Sequence, residues 1–505
     1  MAFSGLMSVE SLKLGLLPIV SYFIYVYLLK PALHFVHRAI HYHGFPCYPR
    51  NFIFGHSLLF WTNFPFPYNL ESFQRMFHEA TNKLAAHDQD QSLTVCWLTL
   101  HPNVLPVSHE AVEVIMNKKN VRKQFFYKFM GLGNGLVASE PALWKVRRKL
   151  IEPFFSTKKI KGYAKHMDQE VKSFTQQLNT ETGKPVDLED QIHSSTLNII
   201  LKSALSIPLD DSIEDKKSLT ELVNKVEPNL VRRSLNPLYH IDWVAKFTKF
   251  GRYYFETLDL VEKVLARMLN RRKQLLSSTS HESENQDFVS LLEGKVDQQG
   301  FFDELITMIA AGHETTAVGL RWILFNLGHH PDVQERLYRE IVQFFPDDTP
   351  VDDMDKINQC NYLDQCIKES LRLNPPIHVF ARYLEEDVVV KDKRLLKDTG
   401  VLVSCPIIHH NPNVYPDPEK YDPDRWTPEN ASKIPKAAYI PFGYGPRSCI
   451  GYRYAILELK IYTIQIIRKF SLRSTRKHES IPSKFEITLK PCLPLEIIVT
   501  PRNNN

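Results

Sequence analysis

Hydrophobic and polar positions divide this chain into segments of different character. Residues 14–29, LGLLPIVSYFIYVYLL, form a nearly unbroken apolar run that ends at Lys30 and Pro31. As a helix it would rise about 24 Å, a little short of a hydrocarbon core of about 30 Å, with Leu12 and flanking aromatics to extend it. Residues 41–56 carry Pro46, Pro49 and two glycines and read as a stiff connector. Mixed short strands and helices follow. From about residue 105 to 275 a helical period dominates, and LLSSTSHESENQD, residues 275–287, is a polar surface loop.

The longest helical candidate is 301–328, FFDELITMIAAGHETTAVGLRWILFNLG. Apolar or small residues recur there at Leu305, Ile309, Gly312, Thr316, Leu320, Ile323 and Leu327. Such a helix would span about 42 Å, the width of a domain. A glycine in mid-helix costs about 1 kcal/mol relative to alanine. Gly312 is followed by His313, Glu314, Thr315 and Thr316, polar groups that a buried helix must satisfy. Either the hydroxyls bond back to carbonyls one turn earlier and bend the helix, or the cluster is functional. In CIKESLRL, residues 366–373, Glu369 and Arg372 share one helix face. Exposed pairs of that kind are common and weak. NPPIHVFAR then ends the helix at a double proline and leads through a strand-like run to Arg382.

Composition narrows the class. With 43% hydrophobic and 24% charged residues the chain is an ordinary folded protein. A net charge of +5 over 505 residues is too mild for a nucleic-acid binder. No repeat and no second linker divides it, so one large, mainly helical domain is expected beyond the connector. The basic residues Lys30, Arg38 and Arg50 after the apolar run, and the lack of a small-residue cleavage site, favour a retained anchor over a cleaved signal peptide. The expected division is anchor 1–30, proline-containing connector 31–50 and catalytic domain 51–505. The seven cysteines, Cys47, Cys96, Cys360, Cys366, Cys405, Cys449 and Cys492, contain no CxxC pair and fit neither a disulfide framework nor a zinc or iron–sulfur site. Most are read as buried thiols.

Cys449 is different, because PFGYGPRSCIGYRYA, residues 441–455, crowds glycines, a proline and an arginine around it. A thiolate can hold haem iron axially and favour O–O cleavage. That role asks for glycines where backbone nears the macrocycle, N–H donors at a helix start to keep the sulfur ionised, an aromatic screen and a cation for a propionate. Gly443, Gly445, Gly451, Phe442 and Arg447 supply them.

F-x-x-G-x-R-x-C-x-G, met by Phe442, Gly445, Arg447, Cys449 and Gly451, resembles the haem-binding signature of the cytochrome P450 superfamily. AGHET, residues 311–315, resembles its oxygen-activation segment. Glu369 and Arg372 match its E-x-x-R pair, and Arg425 in YDPDRW matches the arginine that completes a structural triad with them. WKVRR matches W-x-x-x-R, through Trp144 and Arg148. The resemblance covers essentially the whole chain, and is greatest to the microsomal, reductase-dependent clan that includes the fatty-acid ω-hydroxylases.

The resemblance implies a mainly α fold with a small β region, haem b between the central helix and the cysteine loop, and a single N-terminal anchor in the endoplasmic-reticulum membrane with the catalytic domain cytosolic. It implies Cys449 as axial iron ligand; Trp144, Arg148, Arg382 and Arg447 at the propionates; Ala311 and Gly312 over the haem, with a kink at Gly312; and Thr315 and Glu314 as the oxygen-activation and proton-delivery pair. NADPH electrons would arrive through NADPH–cytochrome P450 reductase, with cytochrome b5 as a second candidate partner. Lys145, Arg147, Lys149, Lys436 and Arg453 are the expected docking cations. The adjacent His409 and His410 point in different directions and are expected to serve the loop, not a metal. A hydrophobic lipid, a fatty acid or related chain, is the favoured substrate. Steroid, terpenoid or xenobiotic hydroxylation, and reductase-independent rearrangement of lipid hydroperoxides, are the alternatives. Two positions depart from the clan: Ala311 stands where many ω-hydroxylases carry the glutamate that bonds covalently to haem, and Asn374 where an aromatic is common.

Overall fold

The computed structural model describes Tyr25 and residues 30–42, 92–98, 101–116, 120–206, 237–278, 287–477, 481, 483–485 and 487–502, with scattered positions between 219 and 233. Apart from Tyr25, the apolar run at 14–29 lies outside these residues, as does the connector beyond Tyr42. Among the described residues no helix is long and apolar enough to cross a membrane.

The helices that position the site are α1 (Lys30–His41), α2 (Pro141–Ile151), α3 (Thr157–Leu178), α4 (Glu189–Leu205), α5 (Lys249–Ser278), α6 (Gln298–His329), α7 (Pro331–Phe344), α8 (Asn361–Leu373) and α9 (Tyr452–Lys469). α1 occupies the start of the segment expected to be a connector. It is tied to the β region, where Arg38 donates to Thr399 Oγ1 at 2.7 Å and to the Lys397 carbonyl at 2.5 Å.

α6 is the central helix, as expected. Asp297 caps it by accepting from the Gly300 N–H at 2.9 Å, and Pro331, which cannot continue a helix, opens α7 two residues after it ends. Every residue from Thr316 to Gly328 is buried, the pattern of a helix enclosed on all sides. The main polar members of that stretch have partners: an Arg321 terminal nitrogen reaches Asp187 and Glu189 at 3.0 Å, and Asn326 donates to Asn374 at 3.1 Å. α3, α4, α7, α8 and α9 pack with α6 into one large apolar core. α9 is almost as enclosed, with every residue from Leu457 to Arg468 buried.

The β region is small. One sheet runs β1 (Leu93–Leu98), β2 (His101–Pro106), β7 (Gly400–Ser404), β4 (Val379–Tyr383), with β2 and β7 parallel and the other pairs antiparallel. A second joins β3 (Pro185–Val186), β11 (Ile497–Pro501) and β8 (Phe470–Ser474). Two hairpins, β5 (Val388–Val390) with β6 (Lys393–Leu395) and β9 (Ser483–Phe485) with β10 (Leu489–Pro491), complete it. β4 carries Arg382 into the interior. The β10 hairpin lies against α6, where Trp322 donates to the Leu489 carbonyl at 3.2 Å.

Candidate active site

The cysteine loop is closed by its own backbone. The Cys449 N–H donates to the Phe442 carbonyl at 2.9 Å and the Ser448 N–H to the Gly445 carbonyl at 3.0 Å. Gly445 has φ +77°, and a Cβ there would lie 2.2 Å from the Met116 carbonyl oxygen, so no other residue fits. A Cβ at Gly451 would meet the Phe155 ring at 3.1 Å. The protein's own turn and neighbours therefore explain these two glycines, which the sequence alone had linked to the macrocycle. Gly451 also stands at the N-cap of α9. Burial pushes the Cys449 thiol up, while the Gly451 backbone and the Arg148 guanidinium pull it down. Yet Cys449 carries accessible surface. So does Ala311, although it lies midway along α6 between the buried Ile309 and His313. Accessible surface in the interior of a protein is cavity wall, and these residues form part of it.

Cations gather near this loop. Arg447 donates to the Leu136 and Ser139 carbonyls at 3.2 and 2.6 Å, and its guanidinium lies 4.5 Å above the Trp144 ring. Leu136 is in turn held to α6, its N–H donating to Glu304 at 3.0 Å. Arg382 is buried on β4, where it donates to the Ala381 carbonyl at 2.8 Å and lies over the Phe380 ring. Burial, then repulsion from Arg382, lowers Arg447 to about 9. Burial lowers Arg382 as well. The half-buried Lys123, whose ammonium sits 4.2 Å from the Tyr127 ring, is pushed well below its ordinary value by burial and by both arginines. The Nε atoms of Arg382 and Arg447 are buried without a hydrogen-bond partner. Among the described residues no carboxylate lies within ion-pair distance of these three cations. Buried cations without counter-charge are costly, and a ligand bearing two carboxylates would match them. Haem b, with two propionates and an iron that a thiolate can ligate, fits this donor set. Lys123 was not foreseen, since a lone lysine in a loop carries no motif. Arg148 is placed beside the sulfur, donating to the Ser448 carbonyl at 2.8 Å.

On α6 the expected pair separates. Thr315 donates to the Ala311 carbonyl at 2.7 Å and Thr316 to the Gly312 carbonyl at 3.0 Å, so both hydroxyls bond back one turn. The helix runs unbroken through Gly312. A Cβ at 312 would lie 2.9 Å from Ile200, so the glycine admits α4 closely. Glu314 points elsewhere, as the roughly 100° between successive helical residues requires. It is buried, 3.1 Å from Lys490 Nζ, accepts from Thr488 Oγ1 at 3.1 Å, and lies 3.1 Å from His193 Nδ1. Burial alone would raise its carboxyl. His193, Lys490 and His313 overcome that and hold it well below the usual range.

Glu369, Arg372 and Arg425 come together as the resemblance implies. Arg372 forks onto Glu369 at 2.8 and 2.9 Å, and Arg425 adds a third bond at 3.3 Å. Trp426 and the Asp422 N–H each donate to the same carboxylate at 2.9 Å. Glu369 and Arg372 are fully buried, unlike the exposed pair that spacing alone allows. His409 donates from Nδ1 to the Arg372 carbonyl at 3.1 Å and accepts at Nε2 from the Ile440 N–H at 2.8 Å, joining this cluster to the start of the cysteine loop. His410 turns outward to Glu419 at 2.7 Å.

Of the expected docking cations, Lys145, Lys149, Lys436 and Arg453 are exposed. Arg147 is not: it is buried, 3.8 Å from Glu304 and 4.0 Å from Asp297. Residues 145 and 149 are one helical turn apart, whereas 147 falls on the opposite face.

The family model described as Cytochrome P450 matches residues 59–498. The chain is 32% identical to cytochrome P450 4F8 of Homo sapiens, over 74% of this chain and 75% of that protein. It is 30% identical to cytochrome P450 4c21 of Blattella germanica, over 78% and 83%. It is 29% identical to leukotriene-B4 omega-hydroxylase 3 of Mus musculus, over 86% and 85%.

Proposed function

This chain belongs to the cytochrome P450 family and is a monooxygenase oxidoreductase, and we propose that its substrate is a hydrophobic lipid, a fatty acid or related chain, into which it inserts one oxygen atom of O2. Electrons come from NADPH through NADPH–cytochrome P450 reductase, with cytochrome b5 as an auxiliary donor. The chain is held by its segment 1–30 to the endoplasmic-reticulum membrane. The observation that carries the substrate reading is likeness along most of the chain to a protein named as a leukotriene omega-hydroxylase.

A thiolate-ligated haem supplies the activation of O2 and its delivery to an unactivated carbon. The chain's residues do the rest. Cys449 provides the sulfur, which coordination would keep deprotonated against the upward push of burial. Lys123, Arg382 and Arg447 would receive the propionates, with Trp144 stacked on Arg447. Arg148 steadies the loop at Ser448 and adds positive charge beside the sulfur. Thr315 Oγ1 stands half-exposed and passes protons inward once it leaves the Ala311 carbonyl. Ala311 offers no carboxylate for a haem ester, so the thiolate and the cations would hold the haem.

The test uses the anchored protein with reductase, NADPH and a mixture of fatty acids, sterols and terpenoids, with products identified by mass spectrometry. A hydroxylated fatty acid is expected. A sterol or terpenoid product with fatty acids untouched would replace the lipid reading. Conversion of a lipid hydroperoxide without NADPH consumption would replace the monooxygenase mechanism. Thr315→Ala should keep its haem and lower product formed per NADPH on the order of ten-fold or more. Unchanged coupling would remove Thr315 from the proton path.

A further inference from the structure

We infer that His193, His313 and Glu314 form a binding site for a divalent transition-metal ion, zinc by its ligand set, which staples α4 to the central helix. All three side chains are buried, and one ligand atom from each lies within 4.8 Å of the other two. His313 Nδ1 is 3.1 Å from the Ile309 carbonyl. A carbonyl only accepts, so Nδ1 carries the proton and Nε2 is left as a bare lone pair. That is the arrangement of a metal-binding histidine oriented by a backbone oxygen. The lone pair lies 3.8 Å from Glu314 Oε2, and His193 Nδ1 lies 3.1 Å from the same oxygen. The 3.1 Å contact is an ion-pair distance, and His193 is the main influence that keeps the Glu314 carboxylate ionised against its burial. Both His193 ring nitrogens, His313 Nε2 and Glu314 Oε2 are all buried with no hydrogen-bond partner.

Orphaned polar atoms are uncommon in protein interiors, and here several converge on one point. Four-coordinate zinc with ligands about 2.0–2.1 Å away sets neighbouring ligand atoms about 3.3 Å apart. The separations of 3.1 and 3.8 Å bracket that edge. Two imidazoles and one carboxylate are a set that zinc uses, with water as fourth ligand. The two carboxylate oxygens of Glu314 are divided between tasks. Oε1 takes Lys490 and Thr488, each at 3.1 Å, which fixes the carboxylate plane from the β10 hairpin. Oε2 is left for the metal. The site is independent of the cysteine loop and uses none of the cations assigned to the haem.

The test is zinc titration of full-length, haem-loaded protein after treatment with a chelator. Bound metal is counted against iron by mass spectrometry, and affinity is measured by competition with a zinc-binding dye. One zinc per iron is expected, with zinc-edge X-ray absorption showing two imidazole ligands. His193→Gln should weaken binding at least about 100-fold while the haem absorbance is retained. Lys490→Met should weaken it about ten-fold, because the partner that fixes the Glu314 carboxylate plane has gone. His410→Gln, at an exposed histidine–carboxylate pair, should leave it unchanged. No stoichiometric zinc in the wild-type protein would overturn the inference and assign the cluster to a bridging water. So would wild-type affinity in folded His193→Gln, or loss of the zinc in His410→Gln. Should His193→Gln fail to hold haem, Lys490→Met decides: unchanged or tighter binding there excludes this site.

Discussion

Two clusters of buried charge lie within this one domain, and they are built in opposite ways. In one, Arg372 is fully buried and shares the Glu369 carboxylate with Arg425, while Trp426 and the Asp422 N–H also donate to it. In the other, Arg382, Arg447 and Lys123 repel one another, with no carboxylate among the described residues close enough to pair with them. Burial of charge is tolerated when partners are supplied. Where the chain supplies them, the cluster holds the fold together. Where it does not, the missing partner belongs to a ligand. Two arginine clusters, both picked out by motif, thus divide into architecture and binding site on the presence or absence of a neighbouring carboxylate.

The difference is sharpest in the response to losing one arginine. Arg372→Ala leaves the buried Glu369 carboxylate with Arg425 as its one remaining cation and should destabilise the protein by about 3–5 kcal/mol. The yield of haem-loaded protein would then collapse, as read from haem absorbance per protein and from the urea midpoint. A loss under about 1 kcal/mol would mean that the triad is not a matched unit. Arg382→Met removes an unmatched charge. The haem-free form should be no less stable than the wild type, whereas haem transfer to an acceptor apoprotein should quicken on the order of ten-fold or more. If the haem-free variant instead lost several kcal/mol, the protein itself would be supplying the counter-charge to Arg382.

His409 joins the triad to the cysteine loop and gives the comparison a pH dependence. Burial, then His410 and Arg372, lowers His409 to about 3, although a backbone carbonyl pulls the other way. The unfolded chain would take up this proton below about 6.5. Stability from the neutral ring is therefore present above about pH 6.5 and is lost as pH falls towards 3. At pH 5 the loss from this group amounts to about 2 kcal/mol. His409→Gln should flatten the pH dependence of the urea midpoint between pH 6 and 4 by about one proton. Equal slopes in the two proteins would show that the ring is protonated in the fold.

Much of this was legible in the chain. The Cys449 loop, the long helix around Gly312 and the E-x-x-R pair each depend on local spacing, which a sequence displays directly. What was missed depends on contacts between distant segments. Lys123 belongs to the cation cluster only because β4 and the loop before α2 converge on the cysteine loop. Glu314 was paired with Thr315 because they are adjacent, but its partners His193, Lys490 and Thr488 come from α4 and the β10 hairpin. Gly312 stood out as an unfavourable mid-helix glycine, and the close approach of Ile200 that it admits could not be read from spacing. The apolar run at 14–29 was legible as a pattern alone, since apart from Tyr25 it lies outside the described residues.

The smallest expected effect concerns charges that stay in solvent. On α2, Lys145 and Lys149 share an exposed face, while Arg147 between them turns inward to Glu304 and Asp297. Only the exposed pair can meet an acidic partner. Lys145→Glu with Lys149→Glu should therefore slow reductase-supported turnover several-fold, most strongly at low ionic strength, where exposed charges are least screened. Peroxide-supported turnover, which needs no partner, should be unaffected. Arg147→Gln should behave differently, weakening the contact between α2 and α6 and lowering both activities together. Equal loss of the two activities in the lysine variant would place Lys145 and Lys149 in the folded architecture. Loss of reductase-supported turnover alone in Arg147→Gln would return that residue to the docking face, against its burial.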